Sequence, residues 1–186
     1  MKEMEKWFAE HGIVFLQDIG IQEGQYILDF GCGEGYYTIP AAIVVDGQGK
    51  IYAVDKDKEV LTKLSERARS IGLDNIVFMN CKRDLKVDLG NESVDAVLLY
   101  DVLHYIRQRK DLYEEVYRVL KKKGILSVYP KHCKSDFPMW CLADLEIEDV
   151  IEEIDAANFR FEEKSWNRLV HFGGYAQGYV LRFIKE

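Results

Sequence analysis

The chain has 186 residues and a formal net charge of −7, with 48% hydrophobic and 31% charged residues. That length fits one domain with an ordinary core. The acidic balance argues against a surface built to grip nucleic-acid phosphates or anionic lipid, and no apolar run approaches the ~18 residues that span a bilayer.

In chain order, residues 1–12 read as an N-terminal helix with Trp7 and Phe8 on its apolar face. The charged opening Met1-Lys2-Glu3 is unlike a secretory leader, so a cytoplasmic location is expected. Tyr26–Phe30 reads as a strand, nearly continuous in apolar residues as a strand covered on both faces should be. Ile51–Val54, Ile76–Met79, Ala96–Tyr100 and Ile125–Tyr129 read the same way. Residues 57–71 form an amphipathic helix that places Val60, Leu61, Leu64, Ala68 and Ile71 together, with Asp57 as its cap and Gly72 as its stop. Residues 111–120 form another, followed by Lys121, Lys122 and Lys123, which would complement the negative end of the helix. A helix over Glu146–Ala157 comes next. Phe159–Ser165 and Tyr179–Ile184 then read as strands joined by the loop "NRLVHFGGYAQG". Two strands joined this way, with no helix between, pair antiparallel.

The alternation predicts an α/β fold: a single domain over 1–186, a mostly parallel sheet with helices on both faces, and one mixed edge. The cysteines, Cys32, Cys81, Cys133 and Cys141, are scattered without ligand spacing. They support reduced thiols, and no metal site is expected.

The chemistry centres on "ILDFGCGEGYYT", residues 27–38, where an apolar run ends in Asp29 and Gly31, Gly33 and Gly35 follow at alternate positions. In an open parallel sheet, ligands bind beyond the carboxyl ends of the strands. Glycine there lets a ligand approach bare backbone. A dinucleotide fold wants a third glycine at position 36, which is Tyr36, and a pyrophosphate would not want Asp29 nearby. A nicotinamide oxidoreductase is therefore the weaker reading.

This G-x-G-x-G run after an aspartate resembles motif I of the class I S-adenosylmethionine-dependent methyltransferases. "YAVDKD", with Asp55 at a strand tip, resembles that family's second motif. "ESVDAVLLYDVLHYI" and "YRVLKKKGILSVYPK" resemble its fourth strand and its fifth-strand region. The resemblance implies a three-layer Rossmann-like sandwich with a seven-stranded sheet in the order 3-2-1-4-5-7-6, strand 7 antiparallel. It implies S-adenosylmethionine as cofactor, with Asp29, Gly31, Gly33 and Gly35 at its amino-acid end. Asp55 would hold the ribose hydroxyls, and Lys56 would neighbour the adenine. Tyr100 at the end of the fourth strand joins this set. The family's adenine-reading acidic position aligns with Lys82, and Asp84 lies two residues on.

Methyl transfer by direct displacement needs alignment more than acid chemistry, so no catalytic residue is assigned. His104, Lys131, His132, His171 and Tyr175 lie on segments near the expected acceptor, and Tyr36 and Tyr37 could face the sulfonium. Residues 130–145 form a candidate substrate lid carrying Phe137, Met139 and Trp140. No Asn-Pro-Pro-Tyr tetrapeptide follows the fourth strand, unlike the family's amino methylases of adenine and cytosine. The first reading is methyl transfer to a small molecule. Transfer to RNA or to a protein side chain, and a non-catalytic cofactor-binding protein, are the alternatives.

Overall fold

The computed structural model describes residues 3–81 and 85–186. Seven strands form one sheet in the order β3-β2-β1-β4-β5-β7-β6. They are β1 (Tyr26–Phe30), β2 (Lys50–Asp55), β3 (Ile76–Asn80), β4 (Val94–Tyr100), β5 (Leu120–Tyr129), β6 (Phe159–His171) and β7 (Gly174–Lys185). The first five pair in parallel, and β7 runs antiparallel to both β5 and β6. The expected fold and strand order are borne out.

Side chains on a strand alternate between faces, so each central strand feeds two cores. On β4, Ala96, Leu98 and Tyr100 enter one core, while Val97 and Leu99 enter the other. The first core is covered by the N-terminal helices, α3 (Thr38–Val45) and α4 (Lys58–Ser70). The second is covered by α5 (Arg109–Val119) and α6 (Ile147–Asp155). Asp57 caps α4 as expected, its carboxylate accepting the backbone N–H groups of Glu59 and Val60.

The N-terminal segment is longer than expected. Helix α1 (Glu3–Lys6) passes through a π-helical turn, Trp7–His11, into α2 (Gly12–Asp18). Hydrophobic Ile13, Val14, Phe15 and Leu16 carry it past the predicted stop at residue 12. Phe15 and Leu16 are buried against the sheet.

Two further expectations are corrected. Lys121, Lys122 and Lys123 do not end a helix. Helix α5 stops at Val119, and the three lysines open β5, where Lys121 pairs with Asp95 at 2.7 Å. Nor is "NRLVHFGGYAQG" a loop. The strands pair all the way from Phe159↔Lys185 to His171↔Gly174, leaving Phe172 and Gly173 as the turn. His171 and Tyr175 are therefore strand residues. The hairpin's far end reaches back to the strand tips: the Tyr37 hydroxyl donates to the Val170 carbonyl at 3.1 Å and accepts the Val170 N–H at 3.2 Å.

Candidate active site

The three glycines do different jobs. Each has positive φ: Gly31 at 82°, Gly33 at 49° and Gly35 at 80°. A Cβ at Gly31 would lie 2.5 Å from a methyl of Val102, and one at Gly35 would lie 2.2 Å from a methyl of Leu64. Those two let the loop pack against β4's exit and against α4. A Cβ at Gly33 would meet nothing nearer than the Gly31 carbonyl at 4.0 Å. Gly33 alone faces open space, and it sits beside the β2 tip, where Asp55 accepts its N–H at 3.0 Å. The other Asp55 oxygen accepts the Asp57 N–H at 2.9 Å. The acidic tip is thus preset against the glycine loop.

Asp29 faces inward. The strand alternation turns it toward α3, where it is 2% exposed and accepts the Thr38 hydroxyl at 2.5 Å. Burial pushes its pKa up to about 7, partly offset by Thr38 and reinforced by the charge of Asp55. The loop above is held from behind by the N-terminal helix, because the Trp7 indole donates to the Tyr36 carbonyl at 2.6 Å. Tyr36 stacks on Phe8, and Tyr37 packs edge-on to Tyr100 at 4.4 Å.

A second group lies at the β4 tip, next to Val102. Asp101 sits there with left-handed backbone, φ 55°. Its carboxylate accepts the Nδ1–H of His171 from the hairpin. His104 lies in the short 3-10 turn Leu103–Tyr105, and His132 follows β5. The His104 and His132 rings are 4.6 Å apart, and those of His132 and His171 are 4.9 Å apart. Trp140 covers His104, stacked at 5.3 Å and 19°.

Most of the chain, this crevice included, matches a known family. A family model described as a methyltransferase domain matches residues 21–174. The chain belongs to that family. Its sheet order is that of the class I S-adenosylmethionine-dependent methyltransferases. A structure titled as a SAM-dependent methyltransferase from Aquifex aeolicus has the same fold, with a TM-score of 0.79, 22% identity and coverage of 98% of this chain and 93% of that one. A probable cobalt-precorrin-6B C(15)-methyltransferase of Saccharolobus solfataricus is 29% identical over 85 residues, covering 45% of this chain and 43% of that protein. The 23S rRNA (uracil(1939)-C(5))-methyltransferase RlmD of Acinetobacter baylyi is 29% identical over 98 residues, covering 46% of this chain and 21% of that protein. The match thus spans less than half the length of these curated relatives. Among the described residues, no helix is long and apolar enough to cross a membrane.

Within this crevice, the structure brings together Gly31, Gly33, Gly35 and Asp55. Lys56 projects beside it, its ammonium 5.3 Å from the centre of the Tyr105 ring. Asp29 lies beneath the loop. Tyr100 lies deeper, 4% exposed, its hydroxyl 2.7 Å from that of Ser127. Lys82 and Asp84 fall outside the described residues. Trp7 is 0% exposed, so it supports the loop and does not line an acceptor pocket. Sequence reasoning missed Asp101 altogether. Its neighbours His104, His132 and His171 were seen one at a time, because they come from the segments after β4 and β5 and from the end of β6, and meet only in the fold.

Proposed function

We propose that this chain transfers a methyl group from S-adenosylmethionine to a small-molecule acceptor by direct displacement. The observation that carries the proposal is the pairing of Asp55 with Gly33. A strand-tip carboxylate, fixed by two backbone N–H groups, stands beside the one loop glycine whose missing side chain leaves open room. When bound, S-adenosylmethionine supplies a methyl group on cationic sulfur.

The chain's own work is to bind, align and exclude water. Asp55 would accept the ribose hydroxyls, and the bare backbone at Gly33 would take the amino-acid end. The carboxylate of Asp55 gives the crevice a negative potential suited to a cationic ligand. Lys56 and Tyr105 would border the base. Lys82 and Asp84 remain assigned to the adenine side by the resemblance alone. Tyr100 would act from below, through its packing on Tyr37.

A small acceptor is favoured by what frames the β4 and β5 tips. Exposed Tyr105, Phe137, Trp140 and Phe172 surround the buried histidines with aromatic surface, and lysines do not dominate there. Lys131, which follows β5, is engaged by Asp136 at 2.6 Å, and Lys56 faces the Tyr105 ring. An RNA-binding rim would present free cations for phosphate contacts.

The test is a screen for labelled methyl transfer into a metabolite extract, beside total RNA and total protein. Label in small molecules supports the reading. Label in RNA or protein overturns the acceptor class. Undetectable binding of S-adenosylmethionine by calorimetry overturns the proposal entirely.

A further inference from the structure

We propose that Asp101, His104 and His132 form a binding site for one divalent transition-metal ion of the zinc class, with His171 orienting the carboxylate. This goes beyond methyl transfer and does not depend on it.

The argument begins with tautomers. His132 Nδ1 is 2.8 Å from the Phe137 carbonyl, which can only accept, so Nδ1 carries the proton. In the neutral ring His132 Nε2 is then a bare lone pair, and it lies 3.9 Å from Asp101 Oδ1, another acceptor. His104 Nδ1 lies 3.7 Å from the same oxygen. Among the described residues, Asp101 Oδ1, His132 Nε2 and both His104 nitrogens are buried without hydrogen-bond partners. Two buried acceptors turned toward each other repel, and leaving such groups unpaired is costly. A cation between them removes the conflict.

The geometry suits such an ion. One ligand atom from each of the three residues falls within 4.8 Å of the others. Ligands at zinc distances, about 2.0–2.1 Å from the ion in a tetrahedron, stand roughly 3.3 Å apart, so the carboxylate–imidazole separations of 3.7 and 3.9 Å shorten by about half an ångström on binding, and the two imidazoles close in by at most about 1.5 Å. Two imidazoles and a carboxylate suit zinc-class ions better than calcium or magnesium, which prefer oxygen alone. Three protein ligands leave a fourth position for water or an acceptor atom.

The surroundings hold the ligands in place. His171 donates to the second oxygen of Asp101, the outer-shell partner that such sites use to orient a ligand. Trp140 and Tyr105 pack on His104. The backbone is left-handed at Asp101 (φ 55°) and His132 (φ 74°), an uncommon conformation that surrounding structure must enforce.

The experiment is equilibrium dialysis of the tag-free full chain against Zn²⁺, with Co²⁺ as a visible probe and no S-adenosylmethionine present. One ion per chain and a Co²⁺ ligand-field band are expected. His132→Asn and Asp101→Asn should each weaken binding by at least about 100-fold, and His171→Asn by about 10- to 100-fold. His11→Asn should change nothing, since His11 lies elsewhere, bonded to Tyr175. A second measurement needs no ligand variant: Zn²⁺ should shift the ring resonances of His104 and His132 in the wild-type protein and leave those of His11 in place. Substoichiometric binding by the wild type, unchanged binding in the folded variants, or unmoved ring resonances would each overturn the site. None of these outcomes bears on methyl transfer, which is read separately by the labelled-methyl screen.

Discussion

Adding one methyl group at each loop glycine should affect stability and ligand access at different positions. At Gly33, alanine pays only for the left-handed backbone, about 1–2 kcal/mol, because its Cβ enters open space. At Gly31 the Cβ would also meet Val102 at 2.5 and 2.9 Å, and a β-branched side chain has few rotamers with which to yield. At Gly35 it would meet Leu64, which is 2% exposed and has little room to move. Overpacking of this kind adds about 1–3 kcal/mol, so Gly31→Ala and Gly35→Ala should lose about 2–5 kcal/mol in all, with Gly31 the worse. In urea, with an m-value of about 2 kcal/mol/M, the midpoint should fall by about 0.5–1 M for Gly33→Ala and about 1–2.5 M for the others. Calorimetry should then find S-adenosylmethionine affinity reduced at least about tenfold in Gly33→Ala, the least destabilised variant. Equal midpoints for all three variants would refute the packing account. Wild-type affinity in Gly33→Ala would show that the open space is not the cradle.

Other expectations follow from the same geometry. Asp55→Ala should weaken S-adenosylmethionine binding about tenfold, near 1.4 kcal/mol, by removing charged hydrogen bonds and loosening Gly33; unchanged affinity by calorimetry would deny Asp55 that role. Asp29 holds its proton up to about pH 7 in the folded chain, against 3.8 as its ordinary value, so the folded state binds more protons between those pH values. Stability from this group is therefore fullest at low pH and falls as pH rises from about 4 to about 7, by at most about 4 kcal/mol. Asp29→Asn should flatten that slope in unfolding curves measured across the window, and an identical slope in the variant would contradict it. Trp140→Ala should raise the acceptor KM about tenfold while leaving S-adenosylmethionine affinity unchanged, once the screen has supplied an acceptor. An unaltered KM would remove residues 130–145 from the acceptor site.

Local pattern determined much of this protein. Continuous apolar runs specified the five buried parallel strands, and the run of alternate glycines after Asp29 located the crevice, because both signals lie within a few adjacent residues. Asp57 as a cap and Asp55 as a strand-tip carboxylate were legible for the same reason. Tertiary structure decided the rest. It alone showed that Gly31 and Gly35 serve packing while Gly33 faces space, since that depends on Val102 and Leu64, which are distant in sequence. It extended the final hairpin until Val170 met Tyr37 and His171 met Asp101, turning a segment rich in glycine and polar residues into paired strand. And it gathered Asp101, His104, His132 and His171 from the carboxyl ends of β4, β5 and β6, a constellation without sequence spacing, because strands that run the same way in one sheet deliver their carboxyl ends to one edge.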